Sequence, residues 1–237
     1  MIISVEKAVT AQNDLIAARL RERLGDEKVF CLNLIAAPGA GKTSLIEKTI
    51  AGLGGRFGIL VVEGDPRTSL DGDRVTAAGA RAFQINTLGG CHLDARMVQV
   101  ELDRADLGAV DLLIIENIGN LLCPAAWDLG EDVRVVVSSL PEGADKPLKY
   151  PETFSLAQVL VINKIDLGPF LPVKAADIRA AALRVNPGLE VFEVSCLTGA
   201  GLDQWLTWLG DRVGQKMAEL GPKDPLPRSG PSRDPLG

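Results

Sequence analysis

The stretch Ala36-Ala37-Pro38-Gly39-Ala40-Gly41-Lys42-Thr43 decides how this chain is read. It follows the apolar run Val29 to Ile35 and leads into helix-like Ser44-Leu45-Ile46-Glu47-Lys48. Strand, glycine-rich loop and helix in that order form a phosphate-binding loop, whose backbone N–H groups turn inward onto phosphate oxygens. The helix N-terminus behind the loop adds about half a positive charge. Pro38, Gly39, Ala40 and Gly41 then wrap the phosphates. Lys42 reaches the β- and γ-phosphates, the Thr43 hydroxyl holds Mg²⁺, and Ser44 completes the binding segment. One departure stands out: the usual first glycine is Ala36.

On the C-terminal side of this loop, apolar runs recur at intervals that suit alternating strands and helices. Phe57 to Val62 reads as a strand ending in Glu63-Gly64-Asp65-Pro66. Ligands of open α/β sheets sit beyond the carboxyl ends of the strands, so Asp65 is a candidate for holding Mg²⁺ or its water. Asp71 to Gly79 reads as a short helix, Arg81 to Ile85 as a strand and Asp94 to Arg104 as a helix. Leu112-Leu113-Ile114-Ile115 then runs into Glu116-Asn117-Ile118-Gly119-Asn120. An apolar strand closing on an acid is the Walker-B pattern, which places Glu116 near the metal. Gly119 can give its N–H to a γ-phosphate and move when that phosphate leaves, turning hydrolysis into a change of shape. Lys42, Asp65, Glu116 and Gly119 are thus the candidate catalytic groups, and Thr43, Asp65 and Glu116 the candidate Mg²⁺ ligands.

Val133 to Ser138 reads as a strand, Pro141 to Tyr150 as a polar loop with two lysines, and Val159 to Ile162 as a strand ending in Asn163-Lys164-Ile165-Asp166. In an Asn-Lys-x-Asp motif the carboxylate accepts from N1–H and the 2-amino group of guanine, donors that adenine lacks. A site built on such donors rejects the analogue by up to about 10⁴–10⁵-fold. Lys164 lies over the base. Helix Val173 to Val185 and strand Leu189 to Val194 lead to Ser195-Cys196-Leu197, similar to the last base-contacting loop of GTPases. Residues 202–220 read as a final helix, with Trp205, Leu206, Trp208 and Leu209 in the core. The expected architecture is α/β: a P-loop NTPase with a mostly parallel sheet of about seven strands and helices on both faces. Residues 1–25 read as an N-terminal helix (apolar stripe Val5, Val9, Ile16, Leu20, Leu24) packed on the flank, and 26–220 as the P-loop domain. Residues 221–237, with five prolines and three glycines, read as a disordered tail.

The whole composition limits what this domain does. Of 237 residues 46% are hydrophobic, enough for a core, and the net charge of −6 speaks against a nucleic-acid footprint. No apolar run reaches the roughly 20 residues that a membrane helix needs. The polar start, Met1 to Asp14, does not suit a secretion signal. A cytoplasmic protein is expected, in which the four cysteines serve as thiols or metal ligands. Cys31 reads as a core thiol and Cys196 as an ordinary loop thiol. Cys91, His92 (the single histidine) and Cys123 are soft ligands suited to Zn²⁺ or Ni²⁺. A closed zinc site takes four protein ligands, so three leave an open position or a site shared across a two-fold axis. A buried thiol beside a satisfied histidine fits the spacing equally well.

These residues resemble the HypB family of nickel-inserting hydrogenase-maturation GTPases, within the wider CobW/HypB/UreG metallochaperone group. The resemblance rests on Glu63-Gly64-Asp65, Gln84-Ile85-Asn86-Thr87, Gly90-Cys91-His92-Leu93-Asp94-Ala95, Glu116-Asn117-Ile118-Gly119-Asn120-Leu121, Cys123-Pro124 and Asp145-Lys146-Pro147-Leu148-Lys149-Tyr150, and covers roughly residues 5–212. It implies a GTP-dependent homodimer with Cys91, His92 and Cys123 holding Ni²⁺ or Zn²⁺ at the interface. It also implies that Lys149 reaches the facing subunit's nucleotide, with a contact near Leu167 and Leu171. The implied partners are a HypA-type accessory protein and the hydrogenase large subunit. The N-terminal cysteine cluster and histidine-rich tract of some members do not occur in this sequence, which argues against nickel storage. Ala37 stands where the wider class often has a trans-acting lysine. No arginine finger is evident, so slow turnover is expected, about 10⁻⁴–10⁻² s⁻¹ for unassisted GTPases. A regulatory GTPase with a purely structural zinc and a small-molecule kinase are the competing readings.

Overall fold

The computed structural model of the chain describes residues 5–65, 70–87 and 89–219, apart from the side chains of residues 5–9, 65, 70 and 71. Its strands are β1 (Phe30–Ala36), β2 (Ile59–Asp65), β3 (Arg81–Asn86), β4 (Leu112–Glu116), β5 (Val133–Ser139), β6 (Val159–Asn163) and β7 (Glu190–Glu193). They form one seven-stranded sheet in the order β3-β2-β4-β1-β5-β6-β7. Every pairing is parallel. Parallel neighbours need long crossovers, usually helical, and α1 (Val5–Asp26), α2 (Lys42–Leu53), α3 (Leu70–Ala77), α4 (Ala95–Leu102), α5 (Lys146–Lys149), α6 (Pro151–Ser155), α7 (Ala175–Val185) and α8 (Leu202–Glu219) complete the chain. The central strands are covered on both faces, which is why β1 and β6 are buried at every position and read as unbroken apolar runs.

The core lies in layers against the sheet. α2 and α8 cover one part of it, where Trp205 is 1% exposed and its indole donates to Thr49 Oγ1 at 2.9 Å. Leu206 and Trp208 pack against the same cluster and Leu209 is buried within it, as the sequence suggests. α1 and α4 cover another part through Ala17, Leu20, Leu24, Val98 and Leu102.

Several boundaries differ from the sequence reading. α1 continues through Gly25 to Asp26. β2 starts at Ile59, because Gly58 lies against the carbonyl of Ala109 and its N–H donates to Asp111 Oδ2 at 2.8 Å. The expected polar loop 141–150 holds a helical turn at Leu140–Glu142 and the short α5, with prolines at the first turns where their missing N–H costs nothing. The tail from Gly221 onward lies outside the described residues.

Candidate functional site

The loop after β1 places its glycines where a side chain does not fit. Gly39 has φ +78° and Gly41 φ +103°, and a Cβ on Gly41 would run into the Asn163 carboxamide. Ala36 needs no such freedom: it is the last residue of β1, fully buried, with its methyl in the core. No side-chain oxygen caps the start of α2, which leaves the opening N–H groups of the helix for an anion. Pro38, Gly39, Gly41, Lys42, Thr43 and Ser44 line a cavity of about 420 Å³. Ala40 sits behind the loop, its methyl in the core and its carbonyl held by Asn163 Nδ2 at 3.1 Å. Gly119 lines the same cavity, so close to the loop that a Cβ there would stand 3.2 Å from Pro38 Cγ. A ligand in the cavity therefore meets the phosphate loop and the segment after β4 together.

The floor of this cavity is acidic. The Thr43 hydroxyl donates to Glu116 Oε1 at 2.9 Å, both residues being buried. Parallel register sets Glu63 of β2 directly level with Glu116 of β4, and Glu63 is 1% exposed in the same wall. Mg²⁺ takes hard oxygen donors, and a hydroxyl touching one buried carboxylate with a second level with it fits such an ion. The sequence pattern points to Asp65 for this role. Asp65 lies two residues further along and pairs with Asn86, and its side chain is outside those described. Glu63 escapes a reading of β2 alone, since only alignment with the Walker-B acid on a neighbouring strand marks it.

A second cleft of about 460 Å³ shares Gly41, Ser44 and Lys164 with the first and ends at Asp166, Cys196 and Leu197. Asn163 joins the two: besides holding Ala40, its Oδ1 accepts from the N–H of Lys164 at 2.7 Å and of Cys196 at 3.2 Å. Lys164, at φ +61°, donates from Nζ to the Gly39 carbonyl at 2.7 Å. Its alkyl stem thus runs along the cleft. Ser195, fully buried, donates to Asp166 Oδ1 at 2.5 Å and fixes that carboxylate. Burial pushes the Cys196 thiol up to about 11, so it remains protonated as an ordinary thiol does. Cys31 is fully buried, as read, and burial raises its thiol well above the usual range. Lys149 lies outside both clefts, exposed and paired with Asp145 Oδ2 at 2.5 Å.

The cysteine–histidine patch lies beside the first cavity. Cys91 and Cys123 come together: the hydrogen bond between their thiols is the main cause of a raised Cys91 thiol. Cys91 Sγ is 3.6 Å from His92 Nδ1. Burial lowers His92 below its ordinary range, and its ring stacks on Trp127 with centroids 4.3 Å apart. Among the described residues, no group of three metal-capable His, Cys, Asp or Glu side chains gathers around one point. Two thiolates suit a soft metal such as Zn²⁺ or Ni²⁺.

A buried polar network links the cavity to this patch, and the sequence reading missed it. Asn117, in the cavity wall, accepts from Leu93 N–H at 3.3 Å, one residue after His92. Its Nδ2 donates to Asn33 Oδ1 at 3.2 Å, and Asn33 Nδ2 donates to Glu131 Oε1 at 3.1 Å. Glu131 pairs with Arg134, whose Nη1 and Nη2 reach the carbonyls of Ala125 and Trp127 at 2.8 and 3.0 Å. Those carbonyls belong to the turn that begins at Cys123 and to the residue under His92. The visible clue is Asn33, a carboxamide in the middle of the wholly buried strand Phe30–Ala36.

Comparison with known proteins agrees with this geometry. Residues 31–193 match the family "CobW/HypB/UreG, nucleotide-binding domain". A hydrogenase maturation factor HypB of Rhizobium leguminosarum is 49% identical over 208 residues, spanning 88% of this chain and 70% of the relative. The crystal structure of HypB from Archaeoglobus fulgidus superposes with a TM-score of 0.80 at 38% identity, covering 86% of this chain and 99% of that one. HypB from Helicobacter pylori, solved in complex with nickel, gives 0.80 at 35%, covering 86% and 96%.

Proposed function

We propose, from the premise that this chain belongs to the CobW/HypB/UreG nucleotide-binding family and, within it, to the HypB maturation factors, that it hydrolyses GTP to hand nickel on during [NiFe]-hydrogenase maturation. The two clefts divide the nucleotide between them. Lys42 and the loop N–H groups hold the phosphates, Thr43, Glu116 and Glu63 hold Mg²⁺, and Asp166, fixed by Ser195, takes the guanine edge beneath Lys164. Mg²⁺ supplies charge neutralisation on the phosphates.

Nickel is cargo. Cys91, His92 and Cys123 hold it, or Zn²⁺ in its place, and a second copy of the chain completes the ligand set across a two-fold axis. Lys149 then points its ammonium at the facing subunit's nucleotide. The metal is received from, or passed to, a HypA-type protein and the hydrogenase large subunit in the cytoplasm. The observation that carries this reading is Asn117, which borders the phosphate cavity and holds the backbone next to His92. Loss of the terminal phosphate frees Gly119 from its neighbour and shifts Asn117 with it, which moves both halves of the thiol patch.

The test is turnover of GTP and ATP by the purified protein and by Lys42→Ala. GTP hydrolysis that ATP does not match, and that Lys42→Ala abolishes, is the expected result. Equal turnover of both nucleotides refutes the guanine assignment.

A further inference from the structure

Arg74 on α3 lines the phosphate cavity together with Lys42 and Ser44. Its guanidinium forks onto Glu47 of α2, Nε to Oε1 at 3.0 Å and Nη2 to Oε2 at 2.9 Å. The same Nη2 stands 3.4 Å from Ser44 Oγ, one turn nearer the helix start. Glu47 lines the other cleft, so Arg74 spans from the phosphate end to a carboxylate outside it. The pair is part-exposed, with Arg74 at 45% and Glu47 at 31%. Exposed pairs of this kind add little stability, so the fork is cheaply exchanged for another oxyanion. Phosphate oxygens accept the same bidentate geometry and carry more charge.

The other cations of the cavity are engaged elsewhere. Lys42 belongs to the phosphate loop itself, and Lys164 is anchored on the Gly39 carbonyl. The carboxylates Glu63 and Glu116 line the same cavity. An incoming nucleoside triphosphate with its Mg²⁺ brings further negative charge, and Arg74 is an arginine lining the cavity that receives it.

We propose that Arg74 is a further catalytic residue, an arginine supplied in cis that leaves Glu47 for the phosphate oxygens when a nucleoside triphosphate binds. Glu47 is its resting partner. In the reaction, water oxygen bonds to the terminal phosphorus and the β–γ bridging P–O bond breaks, its electron pair going to the diphosphate. Of the two water protons, one stays on the inorganic phosphate and the other is released to solvent. Arg74 neither gains nor loses a proton; its N–H groups stabilise charge that grows as the bridge breaks. Arginines in this role are worth about 10³–10⁵-fold in other GTPases, and this exposed one falls at or below the low end.

The inference rests on the proposed GTP hydrolysis, and the test separates the two. Single-turnover hydrolysis at saturating GTP, affinities for GDP and a non-hydrolysable GTP analogue, and melting temperature are measured for wild type, Arg74→Ala, Arg74→Lys and Glu47→Gln. Arg74→Ala lowers the saturated rate by about 10–10³-fold and weakens the triphosphate analogue more than GDP. Arg74→Lys recovers part of the rate, and Glu47→Gln tightens analogue binding by releasing the guanidinium. If Arg74 only ties α3 to α2, Arg74→Ala and Glu47→Gln shift the melting temperature alike and leave rate and analogue affinity unchanged, which overturns the proposal. A wild type that does not hydrolyse GTP refutes the proposed function instead, and the analogue affinities still decide the role of Arg74.

Discussion

Replacing Asn33 by leucine keeps roughly the same volume at a site with 0% exposure and removes two hydrogen bonds. Glu131 retains the Arg134 guanidinium and the Leu129 N–H at 2.8 Å, so it loses one charge-assisted bond of about 1.5–3 kcal/mol. Asn117 Nδ2 is left without its acceptor in the interior, which costs about 1–3 kcal/mol. The added apolar burial offsets about 1–2 kcal/mol. The net destabilisation is about 1–5 kcal/mol, centred near 3. Asn33→Asp is expected to be worse at neutral pH, because it sets a second carboxylate at hydrogen-bond distance from Glu131 Oε1. Such like-charge pairs raise one carboxyl's folded pKa above its unfolded value. The folded state then binds more protons than the unfolded one, so the penalty of Asn33→Asp grows as pH rises and eases as pH falls. Urea unfolding at pH 5 and pH 8 measures both variants. A leucine variant within about 0.5 kcal/mol of wild type, or an aspartate variant whose penalty does not depend on pH, refutes the network's energetics. The same leucine variant should bind GDP and nickel separately with near-normal affinity but lose most of the dependence of one on the other.

Two further outcomes follow from the same geometry. Asp166→Asn exchanges an acceptor for a donor where the guanine 2-amino group would sit, so GTP affinity falls by about 10²–10⁴-fold from two lost charge-assisted bonds, while xanthosine triphosphate, with an oxygen at that position, gains; competition binding of the two nucleotides reads this directly. Nickel binding should strengthen with pH: His92, lowered by burial, is already neutral near pH 7, whereas Cys91, raised by its bond to Cys123, must lose a proton to ligate. The expected slope is about tenfold per pH unit for one released proton, measured by nickel titration from pH 6 to 8, and no dependence on pH removes the thiols as ligands.

What the sequence made legible was local. The phosphate loop, the acid closing β4 and the Asn-Lys-x-Asp segment are contiguous in the chain, and their chemistry depends on a few neighbouring residues. The roles proposed for Glu63 and Arg74 were hidden because they come from parallel register and from how α3 leans on α2. Asn33, Glu131 and Arg134 act together only because β1 and β5 are adjacent, with Asn33 level with Arg134. The cysteine–histidine patch was half legible. Its residues were picked out by type, and the fold brings Cys91 and Cys123 together, but among the described residues no third metal-capable side chain joins them around one point.

Coupling between the lost phosphate and the thiol patch is tested most directly by measuring nickel affinity and oligomer size on one preparation, with GDP and then with a non-hydrolysable GTP analogue. The prediction is a dimer with the analogue, and a nickel affinity that differs between the two nucleotides by at least about fivefold. Identical affinity and identical size in both states would contradict it.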